Sequence, residues 1–128
     1  MKVMLDTYTF LWWNLDDPRL SLTTRQIIMD GNNEIFVSVA SPWEIAIKTA
    51  RGSIILPLPP DQYLPSRLRL HNFQTLPVQL SHALQVYHLP EIHRDPFDRL
   101  LIAQSQLEDL PLLTCDPEIH LNAVNTIW

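Results

Sequence analysis

One cysteine in 128 residues cannot form an internal disulfide, so Cys115 excludes the disulfide-stapled class and points to a reducing compartment. No apolar run approaches the roughly 18 residues of a membrane span. Met1-Lys2 leads directly into strand-like Val3-Met4-Leu5, without a signal-peptide pattern. The expectation is a cytoplasmic protein with no membrane contact. Cations are scarce as well: 9 Lys and Arg against 14 Asp and Glu leave a formal charge of -5, which excludes a broad phosphate-binding surface. Nucleic acid itself is not excluded, because clustered acids that hold divalent cations present the ion's charge to a phosphate. Internal repeats, linkers and low-complexity stretches are missing. His71, His82, His88, His93 and His120 are scattered without metal-ligand spacing and read as surface or structural residues.

What is present is a chain that is 46% apolar and 18% charged, expected to form a single domain over residues 1–128 and to bury roughly two thirds of its unfolded surface. The stretch DPFDRLLIAQSQLEDLPLLTCD, residues 95 to 116, organises it. Asp95 reads as an N-cap with Pro96 at the first helical position and Asp98 two residues further in. Leu100, Leu101, Ala103, Gln104 and Leu107 continue a helix until Glu108-Asp109-Leu110-Pro111 breaks it. Leu112-Leu113-Thr114 then reads as a strand buried on both faces that runs out at Asp116.

The same logic recurs upstream. Lys2 to Leu5 is a strand ending at Asp6, with Thr7 placed to cap a helix over Tyr8 to Leu15. That helix is apolar nearly all round, and Phe10, Leu11, Trp12 and Trp13 are too many for one core face, so part of it is expected to bury against another chain. Ser21 to Asp30 reads as a helix and Glu34 to Val39 as a buried strand. Ser41-Pro42-Trp43-Glu44 repeats the cap, proline, aromatic, acid pattern of residues 95 to 98, which puts Glu44 in a first helical turn. Helices are expected over Asp61 to Leu70, with Arg67 and Arg69 toward water, and over Ser81 to His88, carrying Ala83, Leu84 and Tyr87. Phe73 to Val78 and Val124 to Trp128 are candidate strands, the last at an edge. Alternating strands and helices define an α/β fold, a three-layer α/β/α sandwich around a short, mainly parallel sheet.

In such sheets, strand ends and the following helix starts share one edge. Asp6 and Asp116 at strand ends, with Glu44 and Asp98 in first helical turns, are therefore expected in one crevice. Each acid alone has an ordinary explanation as a helix-dipole partner or turn former. Four together repel one another unless a cation neutralises them. An oxygen-only donor set suits Mg²⁺ or Mn²⁺, and two such ions polarise a phosphodiester, activate water and stabilise the leaving oxygen. Cys115 reads as a small buried residue and not a nucleophile, since no His partner is evident. Lys48, Arg51, Arg94 and Arg99 fit either RNA phosphates or solvated helix faces.

MLDTYTFLWW, VSVASPWEIAIKTARG, DPFDRLLIAQSQ and LLTCD, in this order, resemble the PIN domain, specifically the VapC-type toxins of bacterial toxin-antitoxin pairs. The likeness spans nearly the whole chain. It implies the PIN-like fold, metal-binding acids at Asp6, Glu44, Asp98 and Asp116, and Thr114 as an orienting hydroxyl. Asp95 is either an outer acid or only the helix cap. The resemblance further implies a Mg²⁺- or Mn²⁺-dependent endoribonuclease, RNA as substrate, inhibition by a cognate antitoxin, and a homodimer. Tyr8 stands where many relatives carry His, and Cys115 where a small residue is commoner; neither removes a carboxylate. Three other readings compete. One is a PIN nuclease with a housekeeping RNA or DNA substrate, and another a catalytically inactive interaction module. The third, a receiver-type signalling domain, needs a phosphoacceptor Asp after a middle strand, where Val39-Ala40-Ser41 offers none.

Overall fold

The computed structural model describes residues 1–92 and 94–128; His93 lies outside them. Five strands form one parallel sheet in the order β3-β2-β1-β4-β5, from β1 (Lys2–Leu5), β2 (Glu34–Ser38), β3 (Gln74–Leu76), β4 (Leu112–Leu113) and β5 (Thr126–Ile127). Side chains on a strand alternate between faces, and the central strands feed two separate cores accordingly. Val3, Leu5, Ile35, Val37 and Leu113 pack on one side with Phe10, Ile28 and Tyr63. Met4 and Leu112 pack on the other with Leu101, Ile102 and Ile119, and Phe36 lies against them. Both faces of β1 are thus sealed, which is why VML reads as an unbroken apolar run.

The helices supply the outer layers of the sandwich. On the first face lie α1 (Thr7–Asn14), α2 (Leu22–Met29) and α4 (Pro60–Leu70); on the second lie α6 (Pro96–Glu108) and the short α7 (Pro117–His120). The helix α3 (Ala40–Ala50) straddles the edge, with Ala40 in one core and Ile45 in the other. Between them, α5 (Leu80–Gln85) and the 3₁₀ turn Val86–His88 cover α6. No described helix is long and apolar enough to cross a membrane.

Several boundaries differ from the sequence expectation. Asp6, not Thr7, caps α1, because its carboxylate accepts the Thr9 N–H at 2.8 Å. The helix α3 begins before Ser41: Val39 stands at its N-cap without a side-chain cap bond, the Ser38 hydroxyl accepts the Ala40 N–H at 3.1 Å, and Ser41 and Pro42 fall inside the first turn. Glu44 consequently sits in the second turn, not the first. Ala83, Leu84 and Tyr87 face solvent, and the inward position of α5 belongs to His82. Its Nδ1 accepts the Gln79 N–H at 3.0 Å, leaving Nε2–H to donate to Glu108 at 2.7 Å. Arg67 is not simply solvated; its Nε donates to Asn14 Oδ1 at 2.9 Å. Cys115 is exposed where burial was expected. The α1 aromatics find partners within the chain: Trp12 meets Trp128 edge-on at 5.9 Å, and Trp13 meets His71 at 5.5 Å.

Candidate functional site

Reversal of strand order between β1 and β4 opens a crevice at their carboxyl ends, the usual ligand position in such sheets. Leu5 and Leu113 are in register there, so the residues following them, Asp6 and Thr114, are neighbours. The Thr114 hydroxyl donates to Asp6 Oδ2 and accepts the Asp116 N–H at 3.1 Å. Thr9 braces the same corner, its hydroxyl donating to the Leu113 carbonyl at 2.9 Å. Asp6 is 7% exposed. Burial raises its carboxyl pKa, against the lowering effect of the Thr114 and Thr9 hydrogen bonds, and the Asp116 charge adds to the rise. Asp116 also caps α7, accepting the Glu118 N–H at 2.9 Å.

Glu44 stands deeper in α3. It is 2% exposed, and Lys48, one turn along, donates to its Oε2 at 2.6 Å. Among the described residues, Oε1 is buried without a hydrogen-bond partner. Lys48 also donates to the Tyr8 hydroxyl at 3.2 Å, which ties Glu44 to α1 beside Asp6. Partial burial pulls the Lys48 pKa down, but the bonds to Glu44 and Tyr8 outweigh it and the net shift is upward. Sequence reasoning left Lys48 between phosphate contact and solvated face; the i to i+4 spacing from Glu44 was the available signal.

Asp98 lies in the first turn of α6, where Asp95 caps the helix by accepting its N–H at 3.0 Å. Trp43 and Phe97, the residues immediately before Glu44 and Asp98, pack edge-on at 5.0 Å and bring the two helix starts together. The structure thus joins Asp6, Thr114 and Asp116 directly and ties Glu44 to them through Lys48 and Tyr8. Among the described residues, no group of three or more Asp, Glu, His or Cys side chains is drawn close enough to hold a metal ion.

The donor chemistry nevertheless fits a hard cation. The set is oxygen-only; Glu44 Oε2 is paired with Lys48 while, among the described residues, Oε1 has no partner, and burial disfavours the Asp6 anion, which a cation would offset. Cys115 is not a competing nucleophile, since desolvation by its neighbours and the nearby Asp6 and Asp116 charges raise its thiol pKa. Asp6 and Asp116 line a cleft of about 350 Å³ together with Tyr8, Trp12 and Arg19. Tyr8, Trp12 and Arg19 as cleft walls were missed from sequence. A polar cleft of about 380 Å³ beside Asp109 and Asn125 lies at the amino ends of β4 and β5, away from the acids.

Fold and site together define the class: residues 3–124 match the PIN domain, and the chain belongs to that family. Among curated proteins it is similar to ribonuclease VapC16 of Mycobacterium tuberculosis, with 42% identity over 60 residues, covering 47% of this chain and 41% of that protein. The match therefore spans less than half of that relative's length. Among solved structures it resembles VapBC2 of Rickettsia felis bound to a promoter DNA fragment, with a TM-score of 0.71 at 14% identity over 99% of this chain and 98% of that one. DNA-bound VapBC of Salmonella typhimurium is similar at a TM-score of 0.70 and 14% identity, covering 99% and 97%.

Proposed function

We propose that the protein is a divalent-metal-dependent endoribonuclease acting as the toxin of a type II toxin-antitoxin pair. The observation that carries this reading is the buried Asp6 carboxylate at the sheet's switch point, bound by Thr114 and flanked by Asp116, in a chain of the PIN family. Asp6, Glu44, Asp98 and Asp116 are the residues assigned to hold Mg²⁺ or Mn²⁺, with Thr114 orienting Asp6. When bound, the ion polarises the phosphodiester and lowers the pKa of the attacking water.

The chain's own residues prepare the site. Thr114 holds one oxygen of Asp6 and the Thr9 N–H holds the other, so this carboxylate needs no reorganisation when charge arrives. Lys48 keeps Glu44 extended along α3 and neutralises it when no other cation is present. Cleft walls from Tyr8 and Trp12 exclude bulk water from one side of the acids, which strengthens electrostatic effects at the reacting phosphate.

The antitoxin reading rests on kinship to solved VapBC proteins and on available surface. Between α3 and α4 lies an apolar cleft of about 400 Å³ walled by Pro42, Ala46, Leu64, Pro65 and Leu68, suited to a helix or extended tail of a partner. A homodimer is proposed as well, with the exposed apolar side chains Trp43, Ile55 and Leu58 as candidate contacts.

The deciding experiment incubates purified protein with RNA in Mg²⁺ or Mn²⁺ and in EDTA, beside Asp6→Asn and Asp98→Asn. Cleavage only with metal, lost in both variants while the circular dichroism stays native, is the expected result. Unchanged cleavage by either variant overturns the metal mechanism.

A further inference from the structure

The cleft at Asp6 and Asp116 has a wall that supplies no reacting group to the cleavage chemistry. Tyr8 and Trp12 come from α1, and Arg19 from the turn that follows it. Surface arginines ordinarily sample many rotamers, and fixing one costs entropy. Arg19 is fixed. Its Nε and Nη2 donate to Asp17 Oδ1 and Oδ2 at 3.0 and 2.8 Å, its backbone N–H donates to the same Oδ1 at 2.9 Å, and its Cζ stands 4.7 Å from the Trp12 ring centroid. Trp12 is buttressed in turn, edge-on to Trp128 at 5.9 Å and 6.3 Å from the Tyr8 ring. The Arg19 side chain is still 67% exposed, so much of the guanidinium remains open to solvent.

A flat cation held over an indole, with a carboxylate at its edge, is a stacking surface. Asp17 offsets much of the charge, which makes the group a poor phosphate anchor and leaves its planarity as the useful property. Purines and pyrimidines stack on guanidinium planes and on indoles, and sequence-tolerant binding of single strands is built from such contacts. The overall charge of -5 sharpens the need, because a chain without a broad basic surface must gain affinity for RNA from something other than phosphate contacts. In a duplex the bases are already stacked on each other and closed to this surface.

We propose that the Arg19–Trp12 stack is a nucleobase subsite that takes the unpaired base next to the phosphate that a cation held by Asp6 and Asp116 would bring to the cleft. This rests on the ribonuclease reading. The competing occupant of the aromatic wall, a second copy of the chain, is separated from it by the test.

The experiment uses one labelled RNA, its duplex, and a set of the same strand lacking a single base at successive positions around the cleavage site. These are cut by wild type, Arg19→Lys and Trp12→Phe in Mn²⁺, with folding checked by circular dichroism. Lysine keeps the charge and loses the plane. The single strand is expected to be cut and the duplex spared. Removing the base at one position beside the cut is expected to raise the wild-type KM about tenfold, the scale of one stacking contact. Arg19→Lys is expected to show that raised KM already on intact RNA, with no further rise when the base is absent. Metal-free binding is followed in parallel by quenching of tryptophan fluorescence with intact RNA in EDTA, expected to be strong in wild type and weak in Arg19→Lys. Equal sensitivity to base removal in both proteins, a duplex cut as fast as the single strand, or no quenching in EDTA overturns the subsite. So does an Arg19→Lys protein whose only change is a smaller sedimentation coefficient, which assigns the wall to a second copy. Failure of wild type to cut any RNA strikes the ribonuclease reading instead, and the EDTA binding arm still decides the subsite.

Discussion

Thr114 donates its hydroxyl hydrogen to Asp6 from 108 residues away in sequence, across the boundary where β1 and β4 lie side by side. The same oxygen accepts the Asp116 N–H, so one hydroxyl sets the positions of two acids.

Thr114→Val is shape-conserving and removes both bonds. Leaving a buried acceptor without its donor costs about 1–3 kcal/mol, and the stability of the variant is expected to fall by that amount. Cleavage is expected to fall with it, while Thr114→Ser keeps both. Comparing kcat for the two variants at matched folded fraction checks this; loss in Thr114→Ser with Thr114→Val unaffected would mean that the methyl, not the hydroxyl, matters.

Lys48→Met strips the buried Glu44 carboxylate of its ion pair. Removing one partner of a buried pair costs about 3–5 kcal/mol, and the partial exposure of Lys48 reduces the expected loss to about 2–4 kcal/mol. Adding Glu44→Gln to the same chain removes the stranded charge and should recover most of it. Urea unfolding of wild type, both single variants and the double variant gives the coupling. A double variant no more stable than Lys48→Met would show that Glu44 is not the group left unpaired.

Asp6 sets a pH and metal dependence whose sign follows from its raised pKa. The native protein holds this proton where the unfolded chain, with a carboxyl near 3.9, has released it. Stability from Asp6 is therefore fully present at low pH and is lost as pH rises through the unfolded and then the folded pKa. Asp6→Asn still caps Thr9, so in EDTA near neutral pH it is expected to be more stable than wild type by about 0.5–2 kcal/mol, with the gain vanishing near pH 3. Excess Mg²⁺ should reverse the order, because stabilisation grows as RT ln(1 + [L]/Kd) and the variant binds more weakly. Melting curves at both pH values, with and without Mg²⁺, measure it; an equal Mg²⁺ shift in both proteins would remove Asp6 from the metal set.

His82→Leu tests the clamp between α5 and α6. Leucine fills the space but leaves the Gln79 N–H and Glu108 without their partner, an expected loss of about 1–3 kcal/mol. Amide exchange should quicken in α5 first. Uniform quickening over the whole sheet would argue against a local clamp.

Features decided within a turn or two of chain were legible in sequence. Asp95-Pro96 starts α6 as expected and Gly52, at φ 78, ends α3 in the left-handed conformation that glycine adopts without strain. The unbroken runs at β1 and β4 announced strands buried on both faces, and the parallel α/β fold followed from their alternation with helices. A cap or a hydrophobic stripe depends on neighbours no more than four residues away, so those neighbours can be read in order.

Contacts set by strand order could not be read that way. The start of α3 ahead of Ser41, and with it the position of Glu44, depended on where β2 ends. The Asp6–Thr114 bond exists because β4 inserts beside β1, and the pinning of Arg19 over Trp12 because the chain turns back at Asp17. The acids were visible as residue types from the start. Which of them touch, and which cation each meets first, is a property of pairings between distant segments, and those are settled only when the two cores close on the sheet.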